Sequence, residues 1–225
     1  MPLLSVIIPA YNEAGTIKQI LEKVNSVNID KEIVVIENGS TDDTGKILRD
    51  IKYPNLKIIY HLNNRGKGGA ILTGLANATG EYLIIQDADL EYDPADFLKL
   101  VQAIKENSAD LVIGARFTKG YHGTLMPRMG NRSLTALLNL LFNVRFNDCY
   151  SCYKLFRKET INKLNLNSLG FDIEIEIITK AIKNKMKIVE VPISYYPRTY
   201  KQGKKIRVRD GLHGILTIFK YRFSR

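Results

Sequence analysis

The strongest constraint on the fold is the alternation of short apolar runs with helix-like segments over residues 1–116. Apolar runs at 5–8, 32–36, 56–60, 82–86 and 111–114 have the length and composition of buried strands. The segments between them carry apolar residues at helical spacing, and Asp93-Pro94 is a typical helix start. Because strands that alternate with helices are typical of crossover units, we predict an α/β fold with a doubly wound, Rossmann-like and mainly parallel sheet.

Three polar motifs begin where predicted strands end. They are Pro9-Ala10-Tyr11-Asn12-Glu13, Glu37-Asn38-Gly39-Ser40 and Asp87-Ala88-Asp89-Leu90-Glu91. In a doubly wound sheet, the ligand site lies outside the carboxyl ends of the strands. The three motifs are therefore predicted to meet in one site at that edge.

The last of these motifs concentrates carboxylates. Asp87, Asp89 and Glu91 occupy alternate positions, so an extended chain would point all three the same way. Such a group repels itself unless a cation compensates, and Mg²⁺ or Mn²⁺ often binds through one or two carboxylates together with substrate phosphates. A solvated acidic turn is the alternative, and spacing alone favours neither. The basic residues near the end of the chain could hold phosphates, so we favour the metal site.

The regular alternation stops after Arg116. Residues 121–132 are rich in Gly, Met and Arg and are predicted to form a long functional loop. Two apolar stripes at helical spacing follow, at 134–142 and 212–223, and each could face the core or a membrane interface. We favour the interface for the first stripe and leave both readings open for the second. No linker separates two units, so residues 1–225 are predicted to form one domain.

The positive charge is concentrated near the end of the chain. The net charge is +10, and residues 183–225 hold twelve Lys or Arg against two acids, which accounts for all of it. Such a segment could bind nucleic acid, nucleotide phosphates or an anionic membrane. No apolar run reaches eighteen residues and no signal peptide is evident, so membrane contact is expected to be peripheral. The Cys149/Cys152 pair lacks a second pair and is predicted to be two reduced thiols.

Several segments of the chain together resemble glycosyltransferase family 2. The N-terminal ones are 5–13, Gly39-Ser40-Thr41-Asp42, Gly66-Lys67-Gly68-Gly69-Ala70 and 87–91. Two later segments, 148–157 and 189–206, are similar to the polyprenyl-phosphate (dolichol-phosphate) mannosyl- and glucosyltransferases of that family. The resemblance implies a GT-A type fold, with residues 1–116 as the nucleotide-sugar-binding half. Residues 117–225 would then be the acceptor-binding half, ending in amphipathic helices and a basic tail.

The resemblance also implies roles for individual residues. Pro9, Tyr11, Glu13 and Asn38 would hold the base and ribose, and Arg198 and Lys205 the donor phosphates. Asp87, Ala88 and Asp89 would face the diphosphate-sugar, with Asp89 and Glu91 as ligands of Mg²⁺ or Mn²⁺. Arg116, with Arg128 or Arg132, would receive the acceptor phosphate. Asp87, Asp89 and Arg198 are the predicted catalytic residues.

The implied reaction is an inverting transfer of a hexose from a nucleotide-sugar, of the GDP-mannose or UDP-glucose type, to a polyprenyl phosphate. Asn38 stands where the family commonly has Asp. An amide cannot accept two hydrogen bonds from guanine as a carboxylate can, so this residue argues against a GDP-sugar as the donor. The enzyme is expected in the cytoplasm, peripherally bound to the cytoplasmic membrane face.

Two alternative functions stay open. A hydroxyl acceptor on a soluble or polymer-linked glycan would need a general base, for which Glu174 and Glu176 are available, although we favour the charged start of a solvated helix for them. A non-catalytic nucleic-acid-binding protein would use the basic segment alone. The clustered carboxylates argue against nucleic acid as a partner.

Overall fold

Strands rich in Val, Ile and Leu form a seven-stranded sheet at the centre of the molecule. The computed structural model describes residues 1–116, 125–199, 203, 205 and 208–224. The strands are β1 Leu4–Ala10, β2 Lys31–Glu37, β3 Leu56–Tyr60, β4 Tyr82–Ile85, β5 Leu111–Ala115, β6 Lys154–Arg157 and β7 Ile188–Pro192. The helices are α1 Ile17–Ser26, α2 Thr44–Asp50, α3 Gly66–Asn77, α4 Phe97–Glu106, α5 Leu125–Phe142, α6 Lys158–Ile161, α7 Ile173–Lys183 and α8 Val208–Phe223.

The strand order places the predicted ligand edge at the middle of the sheet. The order is β3-β2-β1-β4-β6-β5-β7, and every neighbouring pair is parallel except those that β6 makes with β4 and β5. The chain runs outward from β1 to β3 and then returns to place β4 on the other side of β1. This reversal is a topological switch point, where α/β proteins bind ligands. The predicted α/β class with a mainly parallel, doubly wound sheet is confirmed.

The two halves of the chain share this one sheet. Residues 1–116 supply β1 to β5, while β6 and β7 come from residues 117–225. Strand β6 lies between β4 and β5, with Leu155 opposite Ile84 on one side and Val112 on the other. The central strands are almost wholly buried, as expected where helices cover both faces of a sheet.

A local sequence signal determines where the helical segment before α4 begins. The Asp93 side chain accepts a hydrogen bond from the Ala95 N–H at 3.1 Å, and Pro94 opens a 3₁₀ turn that leads into α4.

The prediction of a loop over 121–132 is wrong from Leu125 onward, where α5 begins; residues 121–124 lie outside the described part of the chain. Pro127 does not break α5 because it lies in the first turn, where backbone N–H groups have no intrahelical partner.

The two predicted apolar stripes face different surroundings. On α5, Leu134 and Leu138 are buried and the remaining stripe residues pack against the core, so the interface we favoured for this helix is wrong. On α8, Ile218 and Tyr221 are buried instead, and most of the predicted stripe is exposed. The exposed residues are Leu212, Leu216, Phe219 and Phe223. Among the helices of the described residues, none has the length and apolar character needed to span a bilayer.

Candidate active site

A cavity of about 500 Å³ opens at the carboxyl ends of β1 and β4. Residues from both halves of the chain line it. The predicted site residues among them are Pro9, Tyr11, Glu13, Asn38, Asp87, Ala88, Asp89, Glu91, Arg116, Arg198 and Lys205. The structure therefore brings together all the predicted site residues except Arg128 and Arg132, which lie on α5.

Residues 87–91 form a turn, which we call the carboxylate turn. The chain does not stay extended after β4, and Leu90 has φ +64°, a left-handed conformation that costs energy for a residue with a Cβ. The prediction that extended geometry aligns the three carboxylates is therefore wrong, because the turn sets their directions individually. Asp87, Asp89 and Glu91 nevertheless all line the cavity.

Each carboxylate of this turn has its own partner. Asp87 forms an ion pair with Lys67 at 2.8 Å, and Asp89 forms one with Arg198 at 3.0 Å. The oxygens of Glu91 accept hydrogen bonds from the Tyr195 hydroxyl at 2.6 Å and the Arg198 N–H at 2.7 Å. Glu91 therefore holds in place the segment that carries Arg198.

Asp89 is the most strongly perturbed of the three carboxylates. Burial, together with the negative charges of Asp87 and Glu91, raises the pKa of Asp89 to about 7, although the Arg198 guanidinium acts in the opposite direction. A carboxylate placed beside two like charges would be stabilised by additional positive charge at this position.

The oxygen atoms of the carboxylate turn fit a divalent cation that is shared with a ligand. Among the residues that the structure describes, no three His, Cys, Asp or Glu side chains are already arranged as a metal site. Asp87 and Asp89 are partly exposed to the cavity, and Mg²⁺ is commonly bound through one or two carboxylates plus substrate phosphates. The two predicted metal ligands, Asp89 and Glu91, are not equally available to a metal ion. Glu91 already accepts hydrogen bonds from the Tyr195 hydroxyl and the Arg198 backbone N–H.

Two basic residues from the C-terminal half extend over the carboxyl end of β1. Arg198 makes a two-pronged ion pair with Glu13, with N–O distances of 3.0 and 3.1 Å. Lys205 contacts Glu13 at 2.5 Å and also donates to the carbonyl oxygens of Tyr11 and Asn12. Glu13 and Asp89 thus balance the charge of both cations at the predicted phosphate position.

The Asn38 side chain is fully engaged within the protein. Its carbonyl oxygen accepts from the Arg65 N–H at 3.1 Å and from the His61 ring, while its amide nitrogen donates to Asn64 and to the Gly66 carbonyl. The two backbone partners fix which way the amide points. Asn38 therefore organises residues 61–66, and any contact with a base would have to displace one of these partners.

Sequence reasoning missed a buried network behind the cavity. Lys67 contacts Glu174 at 3.0 Å as well as Asp87, and Lys154 contacts Glu174 at 2.6 Å. Burial lowers the pKa of Lys67, but the negative charges of Asp87 and Glu174 outweigh it and raise that pKa well above its ordinary value. Only the presence of Lys67 in the glycine-rich motif 66–70 hinted at such a role.

The solvated helix start predicted for Glu174 and Glu176 is wrong. Their residues are 2% and 0% exposed, because the beginning of α7 is buried. Glu174 lines the cavity, whereas Glu176 accepts hydrogen bonds from the Asn167 and Ser168 N–H groups and from Tyr221.

Glycines of the 66–70 motif allow α3 to approach the segment that precedes α7. A Cβ on Gly68 would overlap the Ser168 carbonyl oxygen, and one on Gly66 would overlap that of Leu169. Gly66 also has φ +76°, which disfavours a side chain. These glycines therefore bring Lys67 within reach of Glu174.

The three predicted acceptor-phosphate arginines lie in different surroundings. Arg116 is buried at the end of β5, where it pairs with Asp148 at 2.7 and 2.9 Å and stacks over Tyr195. Arg128 is half-buried and Arg132 is exposed on α5. Of the three, Arg116 alone lines the cavity.

Both cysteines are buried and neither forms a disulfide with a described residue. Burial raises the pKa of Cys149 to about 12 and that of Cys152 well above its ordinary value. Since the thiolate is the reactive form of cysteine, neither residue is suited to act as a nucleophile.

Known proteins are similar to this chain in sequence and in fold. The family model described as Glycosyl transferase family 2 matches residues 5–164. A dolichol-phosphate mannosyltransferase of Pyrococcus furiosus is 30% identical over 233 residues, which cover 97% of this chain and 61% of that protein. A UDP-N-acetylglucosamine–dolichyl-phosphate N-acetylglucosaminyltransferase of Methanococcus voltae is 30% identical over 231 residues, covering 93% of this chain and 92% of that protein. This chain therefore spans less than two thirds of the Pyrococcus protein.

A solved structure confirms the GT-A type of the fold. Glucosyl-3-phosphoglycerate synthase from Mycobacterium tuberculosis, in complex with Mn²⁺, UDP and glucosyl-3-phosphoglycerate, superposes with a TM-score of 0.75 at 20% identity. The match covers 98% of this chain and 80% of that one. With the strand order, the cavity at the switch point and the family match over 5–164, the chain belongs to glycosyl transferase family 2.

Proposed function

We propose that the protein transfers a hexose, with inversion, from a nucleotide-diphospho-sugar to a polyprenyl phosphate. The observation that carries this proposal is the meeting of Asp87, Asp89, Arg198 and Lys205 in one cavity at the carboxyl edge of the sheet. Carboxylates and cations side by side suit a diphosphate that is bound together with a divalent metal ion. The names of the Pyrococcus and Methanococcus relatives support a dolichyl-phosphate type of acceptor.

The donor site would place the base and the phosphates in different parts of the same cavity. Pro9 near the end of β1, with Tyr11 and Glu13 just after it, would contact the base and ribose, and Asn38 lines the same cavity. Arg198 and Lys205 would bind the phosphates by releasing Glu13. The buried Nε of Arg198 has no hydrogen-bond partner among the described residues, so it can donate to a phosphate oxygen without losing another bond.

Asp89, with Glu91 or Asp87 beside it, would hold Mg²⁺ or Mn²⁺. When bound, such an ion supplies positive charge that stabilises a departing diphosphate. The Mn²⁺ and UDP in the Mycobacterium synthase support this assignment. Arg198 would stabilise the same leaving group directly, because its guanidinium already lies 3.0 Å from Asp89.

A phosphate acceptor suits the chemistry of the cavity. Such an acceptor is ionised near neutral pH and needs no general base, whereas a hydroxyl acceptor would need one. Of the two candidate bases, Glu176 is enclosed away from the cavity, and Glu174 is held by Lys67 and Lys154. Arg116, at the boundary of the two halves, would receive the acceptor phosphate at the cavity together with Arg128 or Arg132 on α5, and 117–225 would be the acceptor-binding half.

The exposed side of α8 would place the enzyme on an anionic membrane surface at the cytoplasmic face. Leu212, Leu216, Phe219 and Phe223 form a continuous exposed stripe, and His213, Lys220 and Arg222 are exposed on the same helix. An apolar stripe flanked by cations is typical of helices that lie in the membrane interface.

A partitioning assay tests the proposed reaction. Radiolabelled nucleotide-sugar is incubated with the protein, Mn²⁺ and polyprenyl phosphate, and the mixture is extracted with organic solvent. We expect label in the organic phase that depends on both the protein and the lipid phosphate. Label that enters only a water-soluble glycan would instead establish the hydroxyl-acceptor alternative.

The donor is identified by thermal shift with UDP- and GDP-sugars in the presence of Mn²⁺. A donor that binds the folded protein raises its melting temperature, and the stabilisation grows with the logarithm of 1 + [donor]/Kd. We expect stabilisation by one base class. Salt-sensitive binding of DNA or RNA without any response to nucleotide-sugars would favour the nucleic-acid alternative and contradict the proposal.

A further inference from the structure

Lys154 is a lysine whose side chain is completely buried at the start of β6. Its side chain is 0% exposed, and its ammonium group contacts the Glu174 carboxylate at 2.6 Å and the Ser151 carbonyl oxygen. Strand β6 is the antiparallel strand between β4 and β5, and the Lys154 side chain reaches Glu174 on α7, so this charge lies between the sheet and that helix. A buried lysine is costly unless its charge is compensated, and here Glu174 compensates it.

The contacts of Lys154 continue to the cavity. The second oxygen of Glu174 lies 3.0 Å from Lys67, and Lys67 lies 2.8 Å from Asp87. The side chains of Lys67, Asp87 and Glu174 are 10%, 20% and 3% exposed. We call these four residues, Lys154, Glu174, Lys67 and Asp87, the Lys154 network.

The network alternates in charge, with two ammonium groups and two carboxylates. Its members come from β6, α7, α3 and the carboxylate turn, so four separate elements meet through it. Buried ion pairs of this kind contribute little net stability, since apolar residues of similar volume often serve as well. The network starts in the core and ends at a carboxylate that faces the cavity. Its presence is therefore better explained by the need to orient that carboxylate than by a gain in stability.

We propose that Lys154 is a positioning residue of the donor site, which acts through Glu174 and Lys67 to fix the carboxylate of Asp87. The measurement of activity that tests this proposal rests on the proposed function. Without Lys154, Glu174 keeps one cation instead of two and draws Lys67 away from Asp87. The consequence is a displaced Asp87 where the diphosphate-sugar is held. Among the described residues, the ion pairs and hydrogen bonds of the network do not involve Pro9 or Tyr11, where the nucleoside would lie.

The first test replaces Lys154 by Met and uses Lys158→Met as the matched control. Lys158 begins α6 directly after β6 and is partly exposed, and its ammonium group donates to the Thr79 carbonyl at 3.5 Å. For Lys154→Met we expect turnover about 100-fold below wild type, the scale of a misplaced reacting group. Binding of the bare nucleoside diphosphate, UDP or GDP, weakens less than binding of the intact nucleotide-sugar, because the sugar also lies at Asp87. Lys158→Met retains both. Wild-type turnover in a folded Lys154→Met protein overturns the proposal.

A double-mutant cycle tests the route through Lys67. If Lys154 acts only through this chain, then Lys67→Met combined with Lys154→Met turns over no more slowly than the slower single variant. Losses that multiply show that Lys154 acts by another route, which contradicts the proposal.

A charge-neutral pair covers the case in which Lys154→Met does not fold. Lys154→Met with Glu174→Gln removes both buried charges and leaves Lys67 with Asp87 alone. We expect this pair to melt cooperatively and still to turn over slowly, because Lys67 has lost the Glu174 carboxylate that fixes its position and cannot fix Asp87 in turn. A wild-type rate in the pair overturns the proposal.

Binding separates a failed network from a failed function. The affinity for an intact nucleotide-sugar, relative to the bare nucleoside diphosphate, is measured by thermal shift in wild type and Lys154→Met. If Lys154→Met weakens binding of the nucleotide-sugar selectively, the proposed role of the network is supported, even if the wild type transfers nothing to polyprenyl phosphate. The absence of transfer would count against the proposed function alone. An unchanged ratio counts against the network.

Discussion

Asp89 is the residue on which the charge balance of the cavity depends. Asp87 and Glu91 surround it with negative charge, and Arg198 is the cation that contacts it. Arg198 also holds Glu13, so the same guanidinium balances carboxylates from β1 and from the carboxylate turn. A metal ion at Asp89 would release part of Arg198 to a donor phosphate. Metal and diphosphate are therefore expected to strengthen each other's binding.

Replacement of Asp89 by Asn is expected to abolish transfer while leaving the fold intact. The side chain is 18% exposed and faces the cavity rather than the core, so its loss removes a ligand without creating a core defect. Mn²⁺ binding followed by electron paramagnetic resonance should weaken together with turnover, and the melting transition should remain cooperative. Asp50→Asn, at the exposed end of α2, is the control. Near-normal turnover in Asp89→Asn would refute the metal assignment.

The sequence predicts some site residues well and others not at all, for a physical reason. Asp87 and Asp89 follow a buried strand, and the carboxyl ends of parallel strands meet at one edge, so local sequence was enough to place them in the site. Glu174 and Lys154 are far from Lys67 along the chain and meet it only after α7 and β6 have packed. Nothing local shows that the first turn of α7 is buried, so Glu174 has the appearance of an ordinary helix-start charge.

At the level of elements, the contact between α3 and the segment before α7 depends on the absence of a Cβ at Gly68. Gly68→Ala would drive the new methyl group into the Ser168 carbonyl, and we expect a loss of about 1–3 kcal/mol in unfolding free energy. Turnover should fall as well, since Lys67 moves with α3. Gly130→Ala is the matched control: it is also a helical glycine, but its Cβ would meet nothing within 4 Å. The control should stabilise the protein, by at most about 1 kcal/mol, and urea unfolding distinguishes the two signs.

Helix α8 carries the prediction about the membrane. Leu216 is 64% exposed in the middle of the stripe, so Leu216→Glu should not change the melting temperature but should weaken co-sedimentation with phosphatidylserine vesicles. Leu62→Glu adds the same charge at a 99% exposed position after β3 and should leave vesicle binding nearly unchanged. Equal weakening in both variants would mean that only the net charge matters, which contradicts a docking role for α8.

The elements also show which sequence signals are reliable. The strands of residues 1–116 were predictable because apolar runs of strand length are bounded by turn residues, and the start before α4 was predictable from Asp93-Pro94. At α5 the composition led to a wrong prediction. Gly, Met and Arg are typical of a loop, but Pro127 lies in the first turn of α5, where a helix tolerates proline. The orientations of α5 and α8 depend on their neighbours, because α8 packs against both α5 and α7. Periodicity alone does not reveal such packing.

For the whole molecule, the position of β6 decides how the two halves unfold. Because β6 separates β4 from β5, residues 1–116 alone would leave β5 without its neighbours β6 and β7. We therefore expect the full chain to unfold in urea as one transition, with far-ultraviolet circular dichroism and tyrosine fluorescence changing together. A fragment of residues 1–116 should lack that cooperative transition. Two separated transitions in the full chain would instead mean that the donor-binding and acceptor-binding halves are independent folding units, and the proposed single domain would be wrong.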